Sequence, residues 1–132
     1  MSRMISVGNS PKIIADSIDG DVSVVGWDGN EILLKADDDE IRLQQNGDEI
    51  RFSCNDDVSL RIPKASTLSF GSISGDASSR GVSGDINITS IEGDLSMREV
   101  GNVSIESIGS DFSLRGARGN LYVKSADSDI SL

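Results

Sequence analysis

From Ile73 onward the chain repeats every nine residues: ISGDASSRG, VSGDINITS, IEGDLSMRE, VGNVSIES, IGSDFSLRG, ARGNLYVKS, ADSDISL. The frame is apolar, any, Gly or Ser, Asp or Asn, apolar, any, apolar, then two mostly polar positions; one residue is missing between Val100 and Asn102. Internal repetition of this kind sets the architecture before any residue is read for chemistry. Alternate copies differ. Arg80, Arg98 and Arg115 hold the eighth position in one set, and Thr89, Glu106 and Lys124 hold it in the other. The ninth position splits the same way, Gly81, Glu99 and Gly116 against Ser90, Ser107 and Ser125. The unit is therefore about eighteen residues with two different short strands. That pattern predicts an all-β fold, a β-solenoid (β-helix) with two main strands per rung, each rung pairing only with its neighbours.

Within each nine, the fifth and seventh residues are apolar and the sixth is polar, the period-two pattern of a half-buried strand. Ile86 and Ile88, Leu95 and Met97, Phe112 and Leu114, Leu121 and Val123, and Ile130 and Leu132 form the inward set. Ile73, Val82, Ile91, Val100 and Ile108 lie three past the last inward residue, so the chain bends there and these side chains close the corners of the core. The other bend is Gly75-Asp76, Gly84-Asp85 or Gly93-Asp94. Here Gly is expected to supply positive φ, and Asp or Asn to accept hydrogen bonds from turn amides.

The first half is less regular but still β. Ile18 to Asp21, with Val22, Val24 and Trp27, reads as an early, degenerate copy. Residues 31–36, 41–45 and 50–54 alternate, and Asn46-Gly47 is a hairpin signal. Val58, Leu60 and Ile62 alternate and stop at Pro63, which belongs at a strand end or edge. No amphipathic helix is visible. The expectation is one domain over residues 1–132, with irregular strands and hairpin over 1–67 and regular repeats over 68–132.

A formal net charge of −10 over 132 residues argues against nucleic acid and anionic membranes as partners. No secretory leader and no apolar run of membrane-spanning length is seen, and the single Cys54 excludes an intramolecular disulfide. These point to the cytoplasm. There is no His, which removes Ser/His and Cys/His catalysis and the usual zinc-ligand sets. Together with an aromatic content of 4%, too low to line a sugar cleft, this predicts a protein that is not an enzyme and uses no metal or cofactor.

Two polar columns stand out. Asp76, Asp94, Asp111 and Asp129 would stack about 4.8 Å apart and read as turn caps, with a cation ladder as the functional alternative. Arg80, Arg98 and Arg115 would form a column on the outer surface of one sheet. They read as a solvated face that deters sideways association, or as a binding face for an acidic partner, a second copy of the protein included. Asp37-Asp38-Asp39-Glu40 lacks the spaced ligands of a calcium loop and reads as a solvated turn. Cys54, in a strand-like stretch, reads as a structural thiol.

The run VVGWDGNEILLKA, followed by VSLRIPKASTLSFGSISGDASSRGVSGDINITSIEGDLS, resembles the bacterial "putative-adhesin" domain family of unknown function across roughly residues 18–132. The resemblance implies repeated short strands with Gly-Asp corners and no shared catalytic residues. Family members are often exported or joined to membrane anchors, so it also implies a cell-surface setting.

The repeat is still in register at Ile130 and Leu132, and Met4-Ile5-Ser6-Val7 is strand-like and apolar. Solenoid ends left without a polar cap invite stacking. The expectation is a structural protein that self-associates end to end into a filament or scaffold. Leu121, Val123, Ile130 and Leu132 would form the apolar end, and Ile5 and Val7 the receiving end. The alternative is an adhesin-like module that holds a protein, glycan or cation through a polar face or the Arg80, Arg98 and Arg115 column.

Overall fold

The computed structural model describes residues 2–6, 11–36, 42–116, 118–126 and 130–131. They form strands and turns, with no helix among the described residues and so none long and apolar enough to cross a membrane. The strands are β1 (Ser2–Ser6), β2 (Lys12–Ile18), β3 (Val22–Trp27), β4 (Glu31–Ala36), β5 (Arg42–Asn46), β6 (Glu49–Cys54), β7 (Val58–Pro63), β8 (Thr67–Ile73), β9 (Ala77–Arg80), β10 (Ile86–Ile91), β11 (Leu95–Arg98), β12 (Val103–Ile108), β13 (Phe112–Arg115), β14 (Leu121–Ala126) and β15 (Ile130–Ser131). They make two sheets. One has the order β1-β4-β7-β3-β9-β11-β13-β15, the other β14-β12-β10-β8-β2-β6-β5. Each sheet keeps two edge strands, so neither closes into a barrel.

From β8 onward every ladder is parallel, and successive strands alternate between the sheets. In one sheet Leu68, Ile86, Val103 and Leu121 are register partners in turn. In the other, Ala77, Leu95, Phe112 and Ile130 are. The one shorter step in each series spans the residue missing between Val100 and Asn102. Because both series keep register, alternate side chains of the two sheets meet in one core. The corner residues Val82, Val100, Ile73, Ile91 and Ile108 are at most 1% exposed, so they seal the bends. Ser79 is the exception among inward positions, between Val24 and Met97, and its hydroxyl meets no partner among the described residues.

The first half enters this stack out of chain order. β2 lies between β6 and β8, and β3 between β7 and β9, all parallel. Val22 and Val24 therefore share columns with Ala77 and Ser79, as the degenerate copy at 18–27 implied. β4 and β5 then add antiparallel to β7 and β6, and β1 adds antiparallel to β4. The β5–β6 hairpin turns through Gly47-Asp48, with Asn46 still paired to Glu49 and Gly47 at φ 64°. Pro63 ends β7 opposite Trp27.

The corner glycines do a different job from the one expected. Gly75, Gly84 and Gly93 do not have positive φ; among the described residues that conformation belongs to Gly47, Gly81, Gly116 and Glu99. A Cβ on Gly93 would sit 2.3 Å from Oδ1 of Asp76 and 2.5 Å from the carbonyl of Gly75. Glycine is required there by closeness of the adjoining turn. The left-handed bend falls instead at the ninth position, which is why Gly81, Glu99 and Gly116 part from the serines of the other set.

Candidate functional site

The columns lie on the outer face of the eight-stranded sheet and at its margin. At the margin, each Asp carboxylate caps the next turn. Oδ1 of Asp57 accepts the amide of Asp21 (2.8 Å), Asp21 that of Asp76 (2.9 Å), Asp76 that of Asp94 (2.8 Å) and Asp94 that of Asp111 (3.1 Å). The carbonyls of Asp21, Asp76, Asp94 and Asp111 in turn accept the amides of Val58, Val22, Ala77 and Leu95. The carboxylates thus form a continuous comb that begins at Asp57 and Asp21, ahead of the regular repeats. Asp129 and the acidic run Asp37 to Glu40 lie outside the described residues. At the opposite margin Asn102 takes the same role, its Oδ1 accepting the amide of Asn120 at 2.8 Å.

Because Asn102 performs this capping without charge, the margin aspartates are separable into hydrogen bond and charge. Asp94→Asn is expected to leave the urea midpoint nearly unchanged. Asp94→Ala loses an acceptor and should cost about 1 kcal/mol, read from the same denaturation curve.

The Arg column is real in register: Arg80, Arg98 and Arg115 are mutual partners across β9, β11 and β13. The same row continues through Val25 to Arg61 and then Leu33 and Met4. Arg61 lies outside the run of regular repeats that begins at Ile73. The signal was present, since Asp57 to Arg61 repeats the Asp-x-Ser-x-Arg spacing of residues 76–80, 94–98 and 111–115. The guanidinium of Arg61 lies 5.8 Å from the Trp27 ring centroid, a cation–π arrangement. Among the described residues, Arg80, Arg98 and Arg115 have no carboxylate within ion-pair distance.

Between the Asp comb and the Arg column runs a second outward row: Lys35, Ser59, Ser23, Ser78, Ser96, Ser113. Neither this row nor the Arg row contains a carboxylate, although the chain carries 22 acidic residues. The sheet face is therefore locally cationic on a strongly anionic protein. The short serines leave an open groove of about 870 Å³ beside the Asp margin, with Ser78, Ser96 and Lys35 in its lining. Such a surface can accept and donate hydrogen bonds and pair with anions at its Arg side. Among the described residues no three carboxylate or thiol groups converge as cation ligands. Cys54 is buried, and its thiol donates to the Asp56 carbonyl at 3.2 Å.

The proposed end residues separate. Ile5 is 8% exposed, with its side chain in the core opposite Ile32; the outer surface of its strand is carried by Met4, 60% exposed. Leu121 and Val123 are half-buried inward residues of the edge strand β14. Ile130, on the edge strand β15, is 44% exposed. Val7 and Leu132 lie outside the described residues.

No protein-family model matches the chain, and no curated protein matches it significantly. Among solved structures, four chains match. One is a "putative cell adhesion protein" from Clostridium sporogenes, with a TM-score of 0.47 and 7% sequence identity over 99% of this chain and 98% of that one.

Proposed function

We propose that the chain is a β-solenoid of 17- to 18-residue rungs with a structural, non-enzymatic role, and that it works by stacking end to end on further copies of itself. The observation that carries this reading is the change along the inward columns. Leu68, Ile86 and Val103 are at most 2% exposed, yet their next partner Leu121 is half-exposed. Leu95 and Phe112 are each 1% exposed, yet Ile130 is 44% exposed. β14 and β15 are the outer strands of the two sheets at one end, and β5 and β1 at the other. Stacking one copy on the next would continue both sheets at once and cover both apolar columns. A contact of this head-to-tail type does not close on itself, so it extends into a filament.

Sedimentation velocity over rising concentration tests this directly. The parent chain is expected to grow in size, and Val123→Lys/Ile130→Lys to remain small with an unchanged far-ultraviolet spectrum. Equal size distributions for the two proteins would remove the β14/β15 end from the account. The second reading, an adhesin-like module, is favoured by one observation: the carboxylate-free Arg row. It predicts that loss of the three arginines abolishes capture of a protein or glycan while end-to-end assembly persists.

A further inference from the structure

The four Asp-x-Ser-x-Arg strands share an unusual problem of charge. Four residues of strand span about 13 Å, so the Asp at one margin cannot reach the Arg of its own strand. Parallel in-register pairing then sets like beside like, Arg80, Arg98 and Arg115 in one line and Asp57, Asp21, Asp76, Asp94 and Asp111 in the other. Like charges directly opposite one another on a sheet are unfavourable. Among the described residues Arg80, Arg98 and Arg115 have no carboxylate within ion-pair distance, and the two lines share one spacing because both ride on the same ladders.

We propose that the outer face of the eight-stranded sheet docks a second copy of this chain, face to face, about a two-fold axis parallel to the direction in which the strands stack. That rotation exchanges the two margins and preserves the level of every strand. Asp94 of one copy then faces Arg98 of the other, Asp76 faces Arg80, and Asp111 faces Arg115, with each pair repeated by symmetry. The contact is isologous and closes at two copies. A two-fold axis along the strands would instead set Asp on Asp and Arg on Arg, so charge selects one dimer. The serine rows meet in the middle, where their short side chains let the faces approach. Anionic polymers and lipid surfaces fit less well, because the Asp comb borders the same face and repels them.

The size of the face sets the strength. Eight strands about 4.8 Å apart and about 13 Å of strand give roughly 500 Å² per copy, below the roughly 800 Å² per partner of a standard interface. The dimer is held by charge pairs against the mutual repulsion of two chains of net charge −10. It should therefore dissociate at about 1 M salt, where the screening length falls to about 3 Å. The contact uses the side of the stack and is independent of the β14/β15 end.

The test is sedimentation equilibrium in the Val123→Lys/Ile130→Lys background, which takes end contacts out of the measurement. One variant adds Arg80→Gln/Arg98→Gln/Arg115→Gln. The other adds Asp76→Asn/Asp94→Asn/Asp111→Asn, where each Asn keeps the Oδ1 acceptor, as Asn102 does for Asn120. The end-blocked parent is expected to dimerise at physiological salt, each triple variant to dimerise roughly a hundredfold more weakly, and a mixture of the two to form a heterodimer. A monomeric parent, or an Arg-to-Gln variant as dimeric as the parent, overturns the proposal. The Arg variant alone decides the matter if the Asn variant folds poorly, since Arg80, Arg98 and Arg115 are all exposed.

Discussion

Phe112→Ala is expected to remove about 3–5 kcal/mol of stability. Phe112 is 1% exposed and lies in the inward column between Leu95 and Ile130. The chain has three Phe residues, so few side chains are large enough to refill the space, and the parallel ladders on either side hold the backbone in place. Domains of this kind have a total stability of about 5–15 kcal/mol. The substitution should therefore move the urea midpoint by a large fraction of its value. Phe112→Leu, which keeps most of the volume, should cost less than about 1.5 kcal/mol. An alanine variant within about 1 kcal/mol of the parent would mean that the space between the sheets is not closely packed.

Gly93→Ala is expected to be nearly as damaging, for a different reason. Its added methyl would lie 2.3 Å from the Asp76 carboxylate oxygen and 2.5 Å from the Gly75 carbonyl. One of these is backbone, and the other is the acceptor for the amide of Asp94. Overpacking of this kind costs about 1–3 kcal/mol, and the displaced cap adds about 1 kcal/mol. Thermal unfolding of Gly93→Ala beside Gly47→Ala makes the cause visible. At Gly47 nothing lies within 4 Å of the added carbon, so that variant pays only the strain of φ 64° and should fall less. A loss at Gly93 no larger than that at Gly47 would contradict close approach as the reason for glycine at the Gly-Asp corners.

The two expectations also mark where the sequence was legible. Inward faces and corners could be read from Ile86, Ile88, Leu95, Val100 and Ile108, because a strand's burial pattern is local and has period two. The Arg80, Arg98 and Arg115 column followed from the same period. Strand order is not local. β2 and β3 sit inside the stack between strands that follow them in the chain, because their pattern is interchangeable with that of any other copy. Nothing at Val22 or Val24 states which neighbour it takes. That hidden order is also what carries the Asp comb through Asp21 to Asp57 and puts Val25 between Arg61 and Arg80. The role of the corner glycines is not legible in the sequence, because a missing Cβ serves both positive φ and close approach, and the one-dimensional pattern is the same for each. At the ends, Ile5 alternates as an apolar residue should, but which side of β1 faces the core is fixed by its pairing with β4.

The measurement that bears most directly on the structural role is the shape of the unmodified protein as concentration rises. It is best made by light scattering with negative-stain images at about 1 M salt, where charge pairing between faces is screened and apolar end contacts persist. Long particles one domain wide, lengthening with concentration, are the predicted result. Single short particles at every concentration would contradict end-to-end stacking and leave the sheet face as the working surface.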